Sequence, residues 1–524
     1  MNIRHFSVVA AIAFIIALFP LNVFANNAVT INTITDKYQG DSVTISGTTV
    51  FDEVTIKVLR PTNTILYVNV LEGGIFSDTF TLPEDAEFGR YTVIAGKGQD
   101  IAAQTFNVIR RGGGSTVPLT PLPASGEPGT EVQDDGAVKI VTKPSLDEGS
   151  STAVSIISME VIEKASEQAK EVSGGSRVVI LEIPEIEGAE KYSVQLPADA
   201  LSSGGKDKRI DINTVLGTVS VPGNMFSNIG LVGEENVEIV IGFADRTDID
   251  EDIRRQIGDR PVIELNAKVD GQVISWNNPD APVTVSIDYT PAPEELEDPE
   301  HIVVWYIDGK NNVVSVPNGR YDPASGKVIF TITHFSKYAV VFVKKTFSDI
   351  ENYPWAKKQI EVLASKGIIN GTSATTYSPG LSITRADFIT LLIRALELKA
   401  EFSTNFDDVN PEDYFYDILG TARILGIATG VGNNKFNPGE QISRQDMMVL
   451  TARALKIAGK ISESGTISDL AGFSDASEVS VYAVEGVVAL IKEGIIQGSG
   501  NRINPKGTAT RAEAAVVIYR VLNK

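Results

Sequence analysis

The chain has 524 residues, more than one hydrophobic core supports, so three or more domains are expected. Hydrophobic residues at 43% and charged residues at 22% are ordinary globular proportions, and the formal charge of −21 argues against a nucleic-acid or anionic-membrane partner, because phosphate recruits lysine and arginine. Cysteine does not occur, which removes disulfides, thiolate metal sites and cysteine nucleophiles together.

At the start, Arg4 and His5 precede an apolar run from Phe6 to Phe19 and then Val23-Phe24-Ala25, the layout of a secretory signal occupying residues 1–25 and cut after Ala25. The run is about 14 residues, too short for a retained anchor. No membrane span is expected after cleavage, so the exported protein needs another means of staying at the cell. Residues 27–109 alternate with period two at 42–46, 54–59, 65–71 and 91–95, with turns expected at Glu72-Gly73-Gly74 and Lys97-Gly98-Gln99. About seven short strands predict an immunoglobulin-like β-sandwich. The segment resembles the bacterial Ig-like modules of surface proteins, and its plainest role is that of a spacer.

Residues 110–137 carry Gly112-Gly113-Gly114-Ser115 and then Pro118, Pro121, Pro123 and Pro128, a composition that reads as a partly stiffened linker. Residues 138–345 predict a mainly β domain, a sandwich with one or two helices. Helical spacing occurs at Ile157, Val161 and Ala165 and again over 249–257; strand patterns occur at 178–183, 192–196, 237–243, 283–289, 301–307 and 328–333. Val269-Asp270-Gly271-Gln272 reads as a two-residue hairpin turn. The domain ends in Thr333-His334-Phe335-Ser336-Lys337-Tyr338-Ala339, which resembles a segment found ahead of the anchoring repeats of bacterial surface proteins and also the His-Phe-Ser site of self-cleaving ZU5 domains. The second resemblance implies Ser336 as nucleophile and His334 as base. The competing reading makes Phe335 a core residue and Ser336 the start of a turn.

The C-terminal third is an internal repeat. Thr384-Arg-Ala-Asp returns as Ser443-Arg-Gln-Asp and Thr510-Arg-Ala-Glu, and each arginine follows the phenylalanine of a Phe-x-Asp by the same interval: 385 − 347, 444 − 406 and 511 − 473 all equal 38. Three modules follow, at 346–399, 405–459 and 472–524. Each predicts a helix, a glycine cap (Gly367, Gly426, Gly494), an extended loop ending in proline (Pro379, Pro438, Pro505) and a second helix. That second helix opens on Thr384, Ser443 or Thr510 as N-cap, with Asp387, Asp446 or Glu513 three residues on, as in a capping box. Arg385, Arg444 and Arg511 are harder to explain, because a cation in the first helical turn faces the positive end of the macrodipole. Two readings remain: an anion docked at the helix start, or pairing with an acid such as Asp349, Asp408 or Asp475.

These spaced features together resemble the S-layer homology domain, whose signature is a Thr-Arg-Ala-Glu-like motif. The resemblance covers residues 347–524 and implies an all-α trimodule, a pseudo-threefold spindle whose grooves bind a secondary cell-wall polysaccharide linked to peptidoglycan, typically through a terminal pyruvylated sugar. It implies that Arg385, Arg444 and Arg511 pair with the sugar carboxylate, that Asp349, Asp408 and Asp475 hold sugar hydroxyls or neighbouring backbone, that Trp355, Tyr414 and Tyr482 give an apolar wall or belong to the core, and that Gly371, Gly430 and Gly498 let the loop approach the sugar. The second copy departs from the signature with Ser443-Arg-Gln-Asp, so the grooves are expected to differ in affinity. The reading is a non-catalytic, exported cell-wall protein with no cofactor or metal. Its alternatives are a wall-anchored glycosidase with its site in 138–345, or a self-assembling lattice subunit.

Overall fold

The computed structural model describes residues 28–524 except 33, 36, 61–64, 84–85, 87–88, 98–99, 110–129, 173, 232–234 and 463. The secretory signal and most of the linker lie outside the described residues. The chain divides into two compact units, residues 1–124 and 125–524.

In the first unit, six strands form one hydrogen-bonded sheet: β1 (Val29–Ile31), β2 (Lys37–Tyr38), β3 (Ser42–Leu59), β4 (Ile65–Thr81), β5 (Gly89–Lys97) and β6 (Asp100–Ile109). The order is β1-β3-β5-β6-β2, with β4 on β3. Alternation puts Val43, Ile45, Val54, Ile56, Val58, Tyr91 and Val93 into its core. Two expectations are corrected here. The runs at 42–46 and 54–59 are one strand, and Glu72-Gly73-Gly74 does not turn the chain; β4 passes straight through it. The glycines instead sit opposite a register shift between Thr49 and Glu53. A Cβ on Gly73 would lie 1.7 Å from the Phe51 carbonyl oxygen, and Gly74 has φ +89°. Close approach and left-handed backbone, the demands of a bulge, explain this glycine pair better than a turn does.

The second unit begins with a β domain of two sheets. One has nine strands, from Ser145–Asp147 at one edge to Val313–Val316 at the other; the second has eight, from Thr130–Val132 to Arg320–Asp322. Strand Thr130–Val132 pairs with Val138–Val141, so the last residues read as linker belong to this domain. Both sheets feed one core around Tyr192, Phe226, Trp276, Phe330 and Tyr338. The helical spacings give α1 (Met159–Gln168) and α3 (Glu251–Ile257); two shorter helices are α2 (Asp199–Ser202) and α4 (Pro293–Glu297). Packing α3 over the sheet's outer face buries Val303, Trp305 and Val341 there, which is why Ile302–Ile307 is apolar at almost every position instead of alternating. The hairpin turn is present, with Asp270 and Gly271 both at positive φ.

Six helices complete the unit: α5 (Pro354–Ser365) and α6 (Arg385–Ala395), α7 (Tyr416–Ile424) and α8 (Arg444–Ile457), α9 (Val484–Lys492) and α10 (Arg511–Leu522). They share one core. The first helix of each module packs on the second helix of the module before it: α7 on α6, α9 on α8, and α5 back on α10. Helices α6, α8 and α10 also touch one another. Gly367, Gly426 and Gly494 end the first helices at φ +68°, +73° and +72°. A Cβ on Gly426 would meet nothing within 4 Å. Gly426→Ala is therefore expected to cost only the left-handed strain, about 1 kcal/mol, readable as a small drop in melting temperature.

Module 1 is docked on the β domain by polar contacts. His301 Nδ1 lies 2.7 Å from Ser365 Oγ and Glu300 binds Lys358, while Glu300 also accepts from the Tyr519 hydroxyl of module 3.

Candidate functional site

Each second helix begins in an N-cap whose side chain accepts from the N3 amide: Thr384 from Asp387, Ser443 from Asp446, Thr510 from Glu513. The carboxylate returns to the N-cap amide only in the third copy, where Glu513 Oε2 accepts from Thr510 N at 2.9 Å. Aspartate is one methylene shorter. Asp387 and Asp446 instead accept from the hydroxyls of Tyr414 (2.6 Å) and Tyr482 (2.7 Å), each from the following module. Burial and then these carboxylates push both phenols up, Tyr482 to about 12.

The remaining helix-start amides are not free to receive an anion. Arg385 N and Ala386 N donate to the carbonyls of Glu440 and Pro438; Arg444 N and Gln445 N donate to those of Gly507 and Pro505; Arg511 N and Ala512 N donate to those of Leu381 and Pro379. Each proline loop thus caps a helix of another module, in the cycle 1 to 2, 2 to 3 and 3 to 1. This removes the amide half of the anion reading and leaves the guanidinium alone.

The guanidinium groups follow the same cycle. Arg385 Nε donates to the Phe436 carbonyl, Arg444 Nε to that of Ile503 and Arg511 Nε to that of Tyr377, each at 2.9 Å. Asp349, Asp408 and Asp475 are not their acid partners. Each of these carboxylates spans two successive amides instead: Tyr377 and Ser378 (2.8 and 2.7 Å), Phe436 and Asn437 (2.9 and 2.8 Å), Ile503 and Asn504 (3.0 and 2.7 Å). The second residue of each pair has positive φ. The aspartates therefore hold the strained turn before the proline. Gly371, Gly430 and Gly498 make room for the module's own phenylalanine: an added Cβ would lie 2.6, 2.9 and 2.8 Å from the rings of Phe347, Phe406 and Phe473. Trp355, Tyr414 and Tyr482 stand at the surface, 52%, 63% and 57% exposed, so the core reading of these aromatics does not apply.

The three repeats match the S-layer homology domain family over residues 346–389, 405–448 and 472–515. The chain carries three S-layer homology domains. Its curated relatives include an amylopullulanase of Thermoanaerobacterium thermosulfurigenes, 37% identical over 46% of this chain and 13% of that protein, and a surface-layer 125 kDa protein of Lysinibacillus sphaericus, 31% identical over 34% and 14%. An exoglucanase of Acetivibrio thermocellus is 37% identical over 34% and 16%. The chain thus spans well under a fifth of the length of these relatives. The S-layer homology match and the surface-layer relatives indicate a secreted bacterial protein attached to the cell wall.

The surroundings of the three arginines are chemically unequal. Arg385 is 7% exposed, stacks on the Phe436 ring and has Asp446 at 3.6 Å. Arg444 is paired with Glu513. Arg511 stacks on Tyr377 and gives Nη2 to the Asn370 carbonyl at 2.9 Å, but among the described residues it has no acid partner and its Nη1 has no acceptor. It borders a cleft of about 260 Å³ that also holds Gly371, Asn370, Asp387 and Tyr414. Here one predicted arginine, one predicted glycine and one predicted aromatic come together from three different modules. Next to Asp446, the acid facing Arg385, Gln445, the departure from the signature, is 5% exposed, donates to Tyr482 Oη at 2.7 Å and accepts from Ser480 N at 3.1 Å.

Arg394, on the same cleft, is a residue the sequence reading missed. It has a signal: an arginine lies nine residues after the first in every copy, at 394, 453 and 520. Arg453 is tied to the Ile427 carbonyl and Arg520 to that of Ile495. Arg394 has no such bond among the described residues and is exposed.

At the other motif, Phe335 packs on Trp276 with ring centroids 4.7 Å apart, and Ser336 Oγ donates to the Ile307 carbonyl at 3.3 Å. The His334 ring stands edge-on to Tyr306, 4.6 Å away, and burial lowers its pKa. No hydrogen bond joins His334 to Ser336 among the described residues, so the nucleophile and base of the self-cleavage reading are not engaged.

Proposed function

We propose that the protein is a non-catalytic surface protein held to the wall through its three S-layer homology domains, arranged as a pseudo-threefold spindle, with the Arg511 cleft taking an acidic sugar at the end of a secondary wall polymer. The observation that carries this is the asymmetry of the arginines: two are neutralised by Asp446 and Glu513, and the third keeps its charge on an open cleft. A carboxylate on the sugar would complete the guanidinium fork, and Tyr414 would flank the ring. The N-terminal sheet is then a spacer of Ig-like kind, and the β domain carries the anchor. The test is sedimentation of the exported chain with native sacculi and with sacculi stripped of their secondary polymer by acid. Binding is expected to be lost on stripping; equal binding to both would overturn the reading.

A further inference from the structure

A second and larger cavity, about 1280 Å³, lies between the β domain and the far ends of the modules. It exceeds the roughly 300–1,000 Å³ of small-molecule sites, so its dimensions suit an oligomer. Tyr306 and His334 line it from the β domain, Lys366 and Lys399 from module 1, and Lys460 from the residue that follows module 2. Arg394 and Ile368 line both this cavity and the Arg511 cleft, so the two are contiguous at the arginine that, unlike its two counterparts, has no internal partner.

The charge balance sets the ligand chemistry. Of the bordering acids, Glu300 is paired with Lys358 and accepts from the Tyr519 hydroxyl, while Glu397 accepts from the neutral Asn318 amide and faces Lys399 and Lys366. Asp417 has no partner among the described residues. Against these two carboxylates, Glu397 and Asp417, stand Lys366 and the exposed Arg394, Lys399 and Lys460; among the described residues none of the four is in a salt bridge, and of the exposed three only Lys399 faces an acid, Glu397. Lys366 is 5% exposed and donates to the Gly319 carbonyl, and burial holds its ammonium down to about 8. In a chain of net charge −21, this is a local surplus of cations set beside aromatic rings. Spaced cations and polar aromatics match a saccharide chain with intermittent negative groups.

We infer that this cavity is a second binding subsite, which takes the stretch of acidic wall glycan next to the sugar held by Arg511 and makes the β domain one wall of the anchor. The inference rests on the proposed glycan function, but its test is separable from that of the Arg511 cleft. The probe is the acidic polymer released from sacculi by mild acid, fractionated into short end fragments and long fragments, titrated into the full exported chain by calorimetry. Long fragments are expected to bind about tenfold more tightly than short ones, as linked subsites do. The double variant Lys399→Gln, Lys460→Gln should lose that preference and keep short-fragment affinity and melting temperature. Equal affinity for both lengths in the wild type, or a preference that survives in the double variant, overturns the subsite. Arg511→Gln reports on the other reading alone, through loss of short-fragment binding.

Discussion

Replacing Arg511 with glutamine is expected to release the protein from native sacculi, with affinity for the wall polymer falling about ten- to a hundredfold, the worth of one charged hydrogen-bond pair. The same change at Arg385 or Arg444 is expected to act on folding more than on binding. Arg385 is buried against Phe436, and its removal leaves Asp446 facing a gap; Arg444 is the partner of Glu513. Removing one member of such a pair strands the other in a poorly solvated place. Arg511 is in no salt bridge among the described residues, and its loss costs two bonds to carbonyls at the module boundary. Sedimentation with sacculi alongside thermal melting for the three variants separates the two effects. Equal losses of binding across the three would overturn the assignment of the open cleft to Arg511. Arg511→Lys is a finer probe, because it keeps the charge and loses the planar fork; affinity intermediate between wild type and glutamine is expected.

The repeat was legible because every one of its features is local: a phenylalanine, a glycine cap, a proline and an N-cap at fixed intervals. Their physical roles within a module follow from the sequence, and the helices and left-handed caps stand where the spacing puts them. The cycle between modules was not legible. Arg385 meets Phe436, and Arg511 meets Tyr377, across 51 and 134 residues, and no interval within one copy announces a partner in another. That distance hides from the sequence that helix-start amides are already bonded to the carbonyls of Pro438, Pro505 and Pro379. It is also why Asp349, Asp408 and Asp475 stood as partners for the arginines when their carboxylates serve the loops. In the first unit the error was of another kind. A Gly-Gly pair signals either a turn or a bulge, and only the register of the opposite strand, shifted between Thr49 and Glu53, decides between them. Gln445, the departure from the signature in the second copy, is in the structure a buried bridge between modules 2 and 3, a partner no interval within one copy announces.

Asp475→Asn is expected to destabilise the trimodule by about 2–4 kcal/mol, since an amide oxygen replaces a carboxylate in two charge-assisted bonds and leaves a buried NH2 facing amide donors. The carboxylate is 2% exposed and accepts from Ile503 N and Asn504 N. Burial alone would raise its pKa, but these two amides, with Arg502 nearby, hold it below the ordinary aspartate value. A depressed pKa means that the stabilisation is complete above about pH 4, the value in the unfolded chain, and is lost as pH falls through the folded value. Melting curves of wild type and variant should therefore lie well apart at neutral pH and converge in acid, while a constant offset at every pH would mean that the aspartate acts by shape alone. The consequence reaches the proposed ligand cleft through the cycle. Asp349 holds the turn at Tyr377 and Ser378, and Tyr377 gives Arg511 both its carbonyl and its ring, so the same substitution at Asp349 should weaken glycan binding as well as folding. At Asp475 the turn it holds serves Arg444, which is already paired, and binding should follow stability alone.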